Sequence, residues 1–390
     1  CSDTSYQNSV ILEVVKHIPE EKKLVIVKLV PDDPFELRLR AGFQQVSKTF
    51  LEFRKGTTYK LGGSLVYKNP GNAADRLKFD ADVTRFYRNI SLAYERPWIG
   101  SHPVSTQMKG YSNKYIQPIY IGSDKPLYQA TQQGFLASFK RRWQFVDAGI
   151  TVGNEWMETN HLSVEVAEAI NFAPALIDKK VPYIFIEPDV VFNYLDDMLN
   201  PTSGLLTILS GKLMIPWQKI KPSQGFLKFI FDQSVFIPLS SWFIGAMRFR
   251  FGHIFNHDFN NIMPPERFFI GGQNSIRSYQ PDFGPPLGAF VESSGKIQLV
   301  PRGGRSLFNF NIEARMLVWK SLGIVIFQDV GALIDAGCSK IENRLLAGTG
   351  FGFRYNTPVG PLRFDIGWKW RKFYEQESNY AWFLTLGHAF

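Results

Sequence analysis

The chain has 390 residues, a net charge of +9, and 45% hydrophobic and 15% aromatic residues, 34 of them Phe. That length admits one large all-β domain or two smaller ones, and the absence of any run of about eighteen apolar residues argues against a helical membrane span. Two cysteines, Cys1 and Cys338, support neither a disulfide framework nor a cysteine zinc site, and the positive charge is spread along the chain rather than gathered into a basic block with stacking aromatics, which argues against a nucleic-acid partner.

Apolar runs at 9–16 and 23–30, joined by Ile18-Pro19-Glu20-Glu21-Lys22, predict a hairpin. A lone hairpin is marginal in water, so it reads as the tail of a small domain, and Cys1 is expected to follow from trimming of a longer precursor. Pro31-Asp32-Asp33-Pro34 breaks the pattern and marks a boundary.

From residue 36 onward the dominant signal is alternation at period two. Glu36, Arg38 and Arg40 share one face, with Leu37, Leu39, Ala41 and Phe43 on the other. The same holds for Lys228, Asp232 and Ser234 against Leu227, Phe229, Phe231, Val235 and Ile237. In 306–319, Asn309, Asn311, Glu313 and Arg315 oppose Phe308, Phe310, Ile312, Met316 and Val318. In 359–370, Arg363, Asp365 and Lys369 oppose Leu362, Phe364, Ile366, Trp368 and Trp370. Candidate strands fall at 36–46, 58–68, 76–86, 89–98, 104–115, 130–141, 143–156, 181–193, 204–216, 225–238, 242–251, 306–319, 322–333, 345–356, 359–370 and 380–390. Residues 163–173 are read as a short helix in an external loop.

A soluble sandwich also alternates, but its strands average about six residues, whereas these runs have the ten to twelve that suit a tilted membrane strand. Apolar faces end in Trp98, Trp368, Trp370, Tyr380 and Trp382, where an interfacial girdle would lie. The polar faces carry both signs of charge, as a wet lumen does. The fold class is therefore all-β, a transmembrane antiparallel β-barrel of about sixteen strands.

One connection, between 252 and 305, is far longer than the rest. Connections this long are usually functional or disordered, and this one keeps Phe268, Phe269, Ile276, Tyr279 and Phe283, which need somewhere to pack. It carries Gly271-Gly272, Ile276-Arg277-Ser278-Tyr279 and Gly284-Pro285, a tip that plugs into something and places one charge. Other motifs are weaker. Gly348-Thr349-Gly350-Phe351-Gly352 superficially resembles a phosphate loop, but no helix follows, so its glycines read as a close-packed inner wall. His253 and His257 have metal-binding spacing without a third ligand. No nucleophile elbow or other enzymatic constellation emerges, and no cofactor is expected.

The residues of the last third resemble the BamA/TamA superfamily of outer-membrane β-barrel assembly proteins, the bacterial surface antigen family. The resemblance lies in Gly271-Gly272, Ile276-Arg277-Ser278-Tyr279 and Gly284-Pro285, in Phe327-Gln328-Asp329-Val330-Gly331, and in the hairpin 348–365 containing Thr357-Pro358-Val359-Gly360-Pro361. The terminal Phe390 is similar to the sorting signal of such barrels, although His388 departs from it. The loop and the hairpin look slightly more like the TamA branch.

The resemblance implies that residues 1–33 are the remnant of a POTRA-like periplasmic domain and 34–390 the barrel. It implies an external loop that folds back into the lumen, where Arg277 meets Glu313 and Asp329. Ser278 stands where the family usually has Gly, which would strain the chain if that position needs a positive φ. It further implies an outer-membrane insertion or translocation factor, bacterial or of the equivalent organelle membrane. Such a factor opens a seam between 36–46 and 380–390, weakened near Gly387, for strand addition. Its expected partners are unfolded outer-membrane or autotransporter clients, the lipid bilayer, and accessory subunits of the periplasm or inner membrane. A two-partner secretion pore of the same superfamily and a passive porin are the alternatives.

Overall fold

The computed structural model describes residues 6–14, 25–31, 33–45, 57–84, 87–116, 128–161, 166–170, 179–218, 224–282, 284–292, 297–319, 321–334, 345–357, 360–373 and 378–386. Gly387, His388, Phe390, Cys1 and Cys338 lie outside them. At the N-terminal end, β1 (Tyr6–Val14) and β2 (Val25–Pro31) pair antiparallel, as the sequence predicts.

Sixteen strands build one sheet. They begin with β3 (Phe35–Gln45), β4 (Thr57–Lys68), β5 (Arg76–Val83), β6 (Tyr87–Arg96), β7 (Val104–Ile116), β8 (Tyr128–Arg142) and β9 (Val146–His161). After β10 (Val166–Ile170) the sheet continues with β11 (Lys179–Asn193), β12 (Gly204–Pro216), β13 (Phe226–Ser240) and β14 (Phe243–Phe255). Beyond β15 (Leu287–Glu292) and β16 (Ile297–Pro301) it ends with β17 (Ser306–Trp319), β18 (Leu322–Ile334), β19 (Leu346–Thr357), β20 (Gly360–Lys369) and β21 (Tyr380–Leu386). Each strand is hydrogen-bonded antiparallel to the next in this order. The first and last, β3 and β21, come within 8 Å of each other, closing the barrel. Among the described residues no hydrogen-bonded ladder joins them.

The alternation sorts side chains inside out relative to a water-soluble protein. In β17, Asn309, Asn311, Glu313 and Arg315 are buried, whereas Phe308, Phe310 and Ile312 stand 37%, 39% and 41% exposed on the outer wall. In β3, Leu37 and Leu39 face out while Arg40 reaches Asp80 and Asp82 in the interior at 3.2 Å each. An outer wall of this kind suits lipid, where backbone groups must be satisfied internally and a closed sheet does so. Trp98, Trp143, Trp242 and Trp319 lie exposed at one rim and Trp217, Trp370 and Tyr380 at the other, as interfacial aromatics do.

Two corrections concern the external loops. The segment read as a helix at 163–173 contains β10, an extended strand whose Val166 and Ile170 are β-branched and which pairs with β15. The long connection is not strandless: β15 and β16 pair with each other, so β10, β15 and β16 form a separate three-stranded sheet. For β10 a pairing partner more than a hundred residues away overrides the local pattern, whereas β15 and β16 form a local hairpin.

Candidate functional site

The connection from β14 to β17 enters the barrel through two short 3-10 turns, Phe259–Asn261 and Pro264–Glu266. Buried Glu266 accepts from the Lys212 Nζ of β12 at 2.7 Å and the Lys228 Nζ of β13 at 3.3 Å. Burial alone would raise the Glu266 carboxyl, but the two ammonium groups outweigh it and hold it down at about 2. Arg267 donates to the carbonyls of Ile262 and Arg302 at 3.0 Å each, tying the two sides of the loop together. Phe268 and Gly304 exchange backbone hydrogen bonds at 3.2 and 2.8 Å. The Phe268 ring lies on Gly252, where a Cβ would sit 2.5 Å from it.

At the tip, Gly271 and Gly272 take φ values of 112° and 99°, which glycine adopts without strain. The Gly272 N–H then reaches the carbonyls of Ile276 (3.2 Å) and Tyr279 (3.0 Å), and the Ser275 hydroxyl accepts from the Gly271 N–H at 2.9 Å. The Ile276–Tyr279 turn is thereby closed on itself before it meets the wall. Ser278 is not among the residues with positive φ, so serine carries no backbone strain there. Gly284 bonds back to the Ile270 carbonyl at 3.0 Å, and the Tyr279 hydroxyl donates to the Arg371 carbonyl at 2.6 Å. Pro285 follows in the same buried segment.

Arg277 is 1% exposed. Its Nε and Nη2 donate to the two Asp329 oxygens at 2.8 and 2.7 Å, and its backbone N–H adds a third bond to Asp329 at 2.9 Å. Its Nη1 binds Glu313. Asp365 Oδ2 lies 4.0 Å away. Burial works against the guanidinium's charge, but Asp329 and Glu313 reverse the balance and raise it further above its ordinary value. The planar fork suits two carboxylates at fixed angles, which an ammonium would not match. The structure thus brings together Arg277, Glu313 and Asp329.

A second tier surrounds this contact. Asn311 donates to Asp329 Oδ1 at 2.7 Å and to the Ser275 carbonyl at 2.6 Å. Arg315 donates to Glu313 at 2.7 Å and Arg354 to Asp365 at 2.6 Å. Arg248 donates to Asp232 at 2.8 Å and to the Asn274 carbonyl at 3.2 Å. Alternation places most of these on inward faces, but nothing in the sequence ties them to the loop. Alternation puts Lys228 on an inward face, but the pairing of Glu266 with Lys212 and Lys228 is not legible, because the pairs are 54 and 38 residues apart.

Gly348, Gly350 and Gly352 face inward in β19, as the close-packed reading expects. A Cβ at Gly348 would lie 1.9 Å from the Ser278 Oγ, and one at Gly367 would lie 3.0 Å from the Arg277 backbone. Glycines on β19 and β20 therefore make room for the loop's main chain. His253 belongs to β14 and contacts the Ser306 hydroxyl at 2.7 Å, and no group of metal-binding side chains occurs among the described residues.

A closed antiparallel barrel with an apolar outer wall, whose lumen is occupied by its own arginine-anchored loop, defines an outer-membrane β-barrel. The Omp85 superfamily domain matches residues 71–390, and the chain belongs to that superfamily. The chain is similar to outer envelope protein 80, chloroplastic, of Arabidopsis thaliana, 30% identical over 130 residues covering 31% of this chain and 15% of that protein. It thus spans about a seventh of that relative's length. In fold it resembles BamA from Haemophilus ducreyi lacking POTRA domains 1–3 (TM-score 0.75, 15% identity, 97% of this chain and 75% of the other). It also resembles CdiB from Acinetobacter baumannii (TM-score 0.57, 13% identity, 97% and 65%) and from Escherichia coli (TM-score 0.59, 13% identity, 98% and 68%).

Proposed function

We propose that this protein inserts client β-barrel proteins into an outer membrane by offering a lateral seam between β3 and β21. The observation that carries the reading is the contrast between the hydrogen-bonded ladders along the sheet and the β3–β21 contact, where the described residues form none. In lipid an unpaired edge is costly, and a client strand that pairs with it satisfies that edge by strand addition. The mechanism requires no bond chemistry. Arg277 and its carboxylates hold the loop, and with it the wall from β17 to β20, in one geometry while the seam exchanges partners. Unfolded outer-membrane or autotransporter proteins are the proposed clients, the bilayer is the medium, and periplasmic or inner-membrane subunits are proposed to assist.

The test is reconstitution of the full-length protein into liposomes with an unfolded outer-membrane barrel, scored by the gel shift of the folded client. Accelerated folding supports insertion. No acceleration, with stable ion conductance instead, moves the protein to an export pore.

A further inference from the structure

Arg363 is one of the two largest side chains buried to within 2%, yet it lies outside the Arg277–Glu313–Asp329 contact. It sits on the inward face of β20, the hydrogen-bonded neighbour of the last strand. Its Nη2 donates to the Gln273 carbonyl in the loop tip at 3.0 Å. Its Nε donates to the Thr385 hydroxyl on β21 at 2.9 Å. Asp365, 3.2 Å from the same Nε, offsets the charge, and Asp365 is also held by Arg354. One planar group therefore touches both the lumen loop and the strand that borders the seam.

The backbone supports the same linkage. Gly367, one repeat of the pleat beyond Asp365 along β20, leaves room for the Arg277 main chain. Withdrawal of the loop tip would remove the Gln273 acceptor and leave the Nη2 of Arg363 to find another partner, beside an Nη1 that has no hydrogen-bond partner among the described residues. An unsatisfied buried donor is costly, more so on a charged group. The guanidinium would relieve that cost by reorienting, and its other bond, to Thr385, would be drawn along with it.

We propose that Arg363 is a positioning residue that couples loop docking to the geometry of the seam, a statement that rests on the seam reading above. The lysine variant keeps the charge but cannot hold both acceptors at fixed angles. Thr385→Val removes the seam-side acceptor at nearly constant shape.

The experiment places nitroxide labels at Leu39→Cys and Leu384→Cys, on β3 and β21, with Cys1 and Cys338 replaced by serine, and measures the inter-label distance distribution in the full-length protein. Arg277→Ala, which frees the loop, is expected to raise the population with a separated seam by a few-fold to about thirtyfold. In an Arg363→Lys or Thr385→Val background the same substitution is expected to change that population by less than about twofold. An equal shift in all three backgrounds, or no shift with Arg277→Ala, overturns the proposal. Thr385→Val keeps the test decisive if Arg363→Lys fails to fold. Because the readout is a distance, seam coupling without accelerated client folding would uphold this proposal and reject the insertion reading.

Discussion

The Arg277 guanidinium lies 3.6 Å from the centre of the Phe327 ring, so the loop's charge rests on an aromatic face as well as between two carboxylates. The ring in turn covers Gly350, where a Cβ would lie 2.3 Å from it. Arginine, ring and glycine form a stack from the lumen to the wall, and the ring's height depends on residue 350 having no side chain.

Phe327→Leu removes the cation–π contact while filling much of the space. The expected cost is about 1–2 kcal/mol, read as a lower temperature for loss of the heat-modifiable folded band. Gly350→Ala, which pushes the ring into the arginine, is expected to cost at least as much.

Asp329 accepts from three N–H groups of Arg277, Glu313 from one. Asp329→Asn leaves a buried guanidinium short of charge and is expected to destabilise by about 3–5 kcal/mol, more than Glu313→Gln. The Asp329→Asn, Arg277→Met double substitution should cost less than the sum of the singles, because removing both partners strands neither. Denaturant unfolding in detergent measures all three.

Glu266 supplies a pH dependence of definite sign. Its carboxyl is held at about 2, below the ordinary 4.5, so it contributes stability above 4.5 that is lost as the pH falls from 4.5 through 2. Limited proteolysis within 256–305 should therefore accelerate across that window, and Glu266→Gln should be faster at neutral pH and flatter across it.

Gly348→Ala would place a methyl group 1.9 Å from the Ser278 hydroxyl and 2.7 Å from the Trp368 carbonyl. The loop tip must move, and increased proteolysis near 271–282 is the expected outcome. Ser278→Gly should be close to neutral alone, since no positive φ awaits relief, and should only partly rescue Gly348→Ala because the Trp368 clash remains.

The barrel was legible in the sequence because period-two alternation recurs along its strands, with large apolar side chains turned to the lipid. Glu313 and Arg315 were readable as inward for that reason alone. What alternation does not carry is partnership across the lumen. Arg363 appeared only as one more polar residue of its run, and its contacts with Gln273 and Thr385 arise from the loop's path. The β10 segment was misread because its fate is set by β15, far along the chain, rather than by its own periodicity. Gly387 and Phe390, which the sequence assigns to the seam, lie outside the described residues.

The β3–β21 seam is tested most directly by client folding by the reconstituted protein with those two strands joined by an engineered disulfide. Insertion should fall to the rate of empty liposomes while the disulfide is intact and recover when it is reduced. Unchanged client folding with the seam locked would contradict the account.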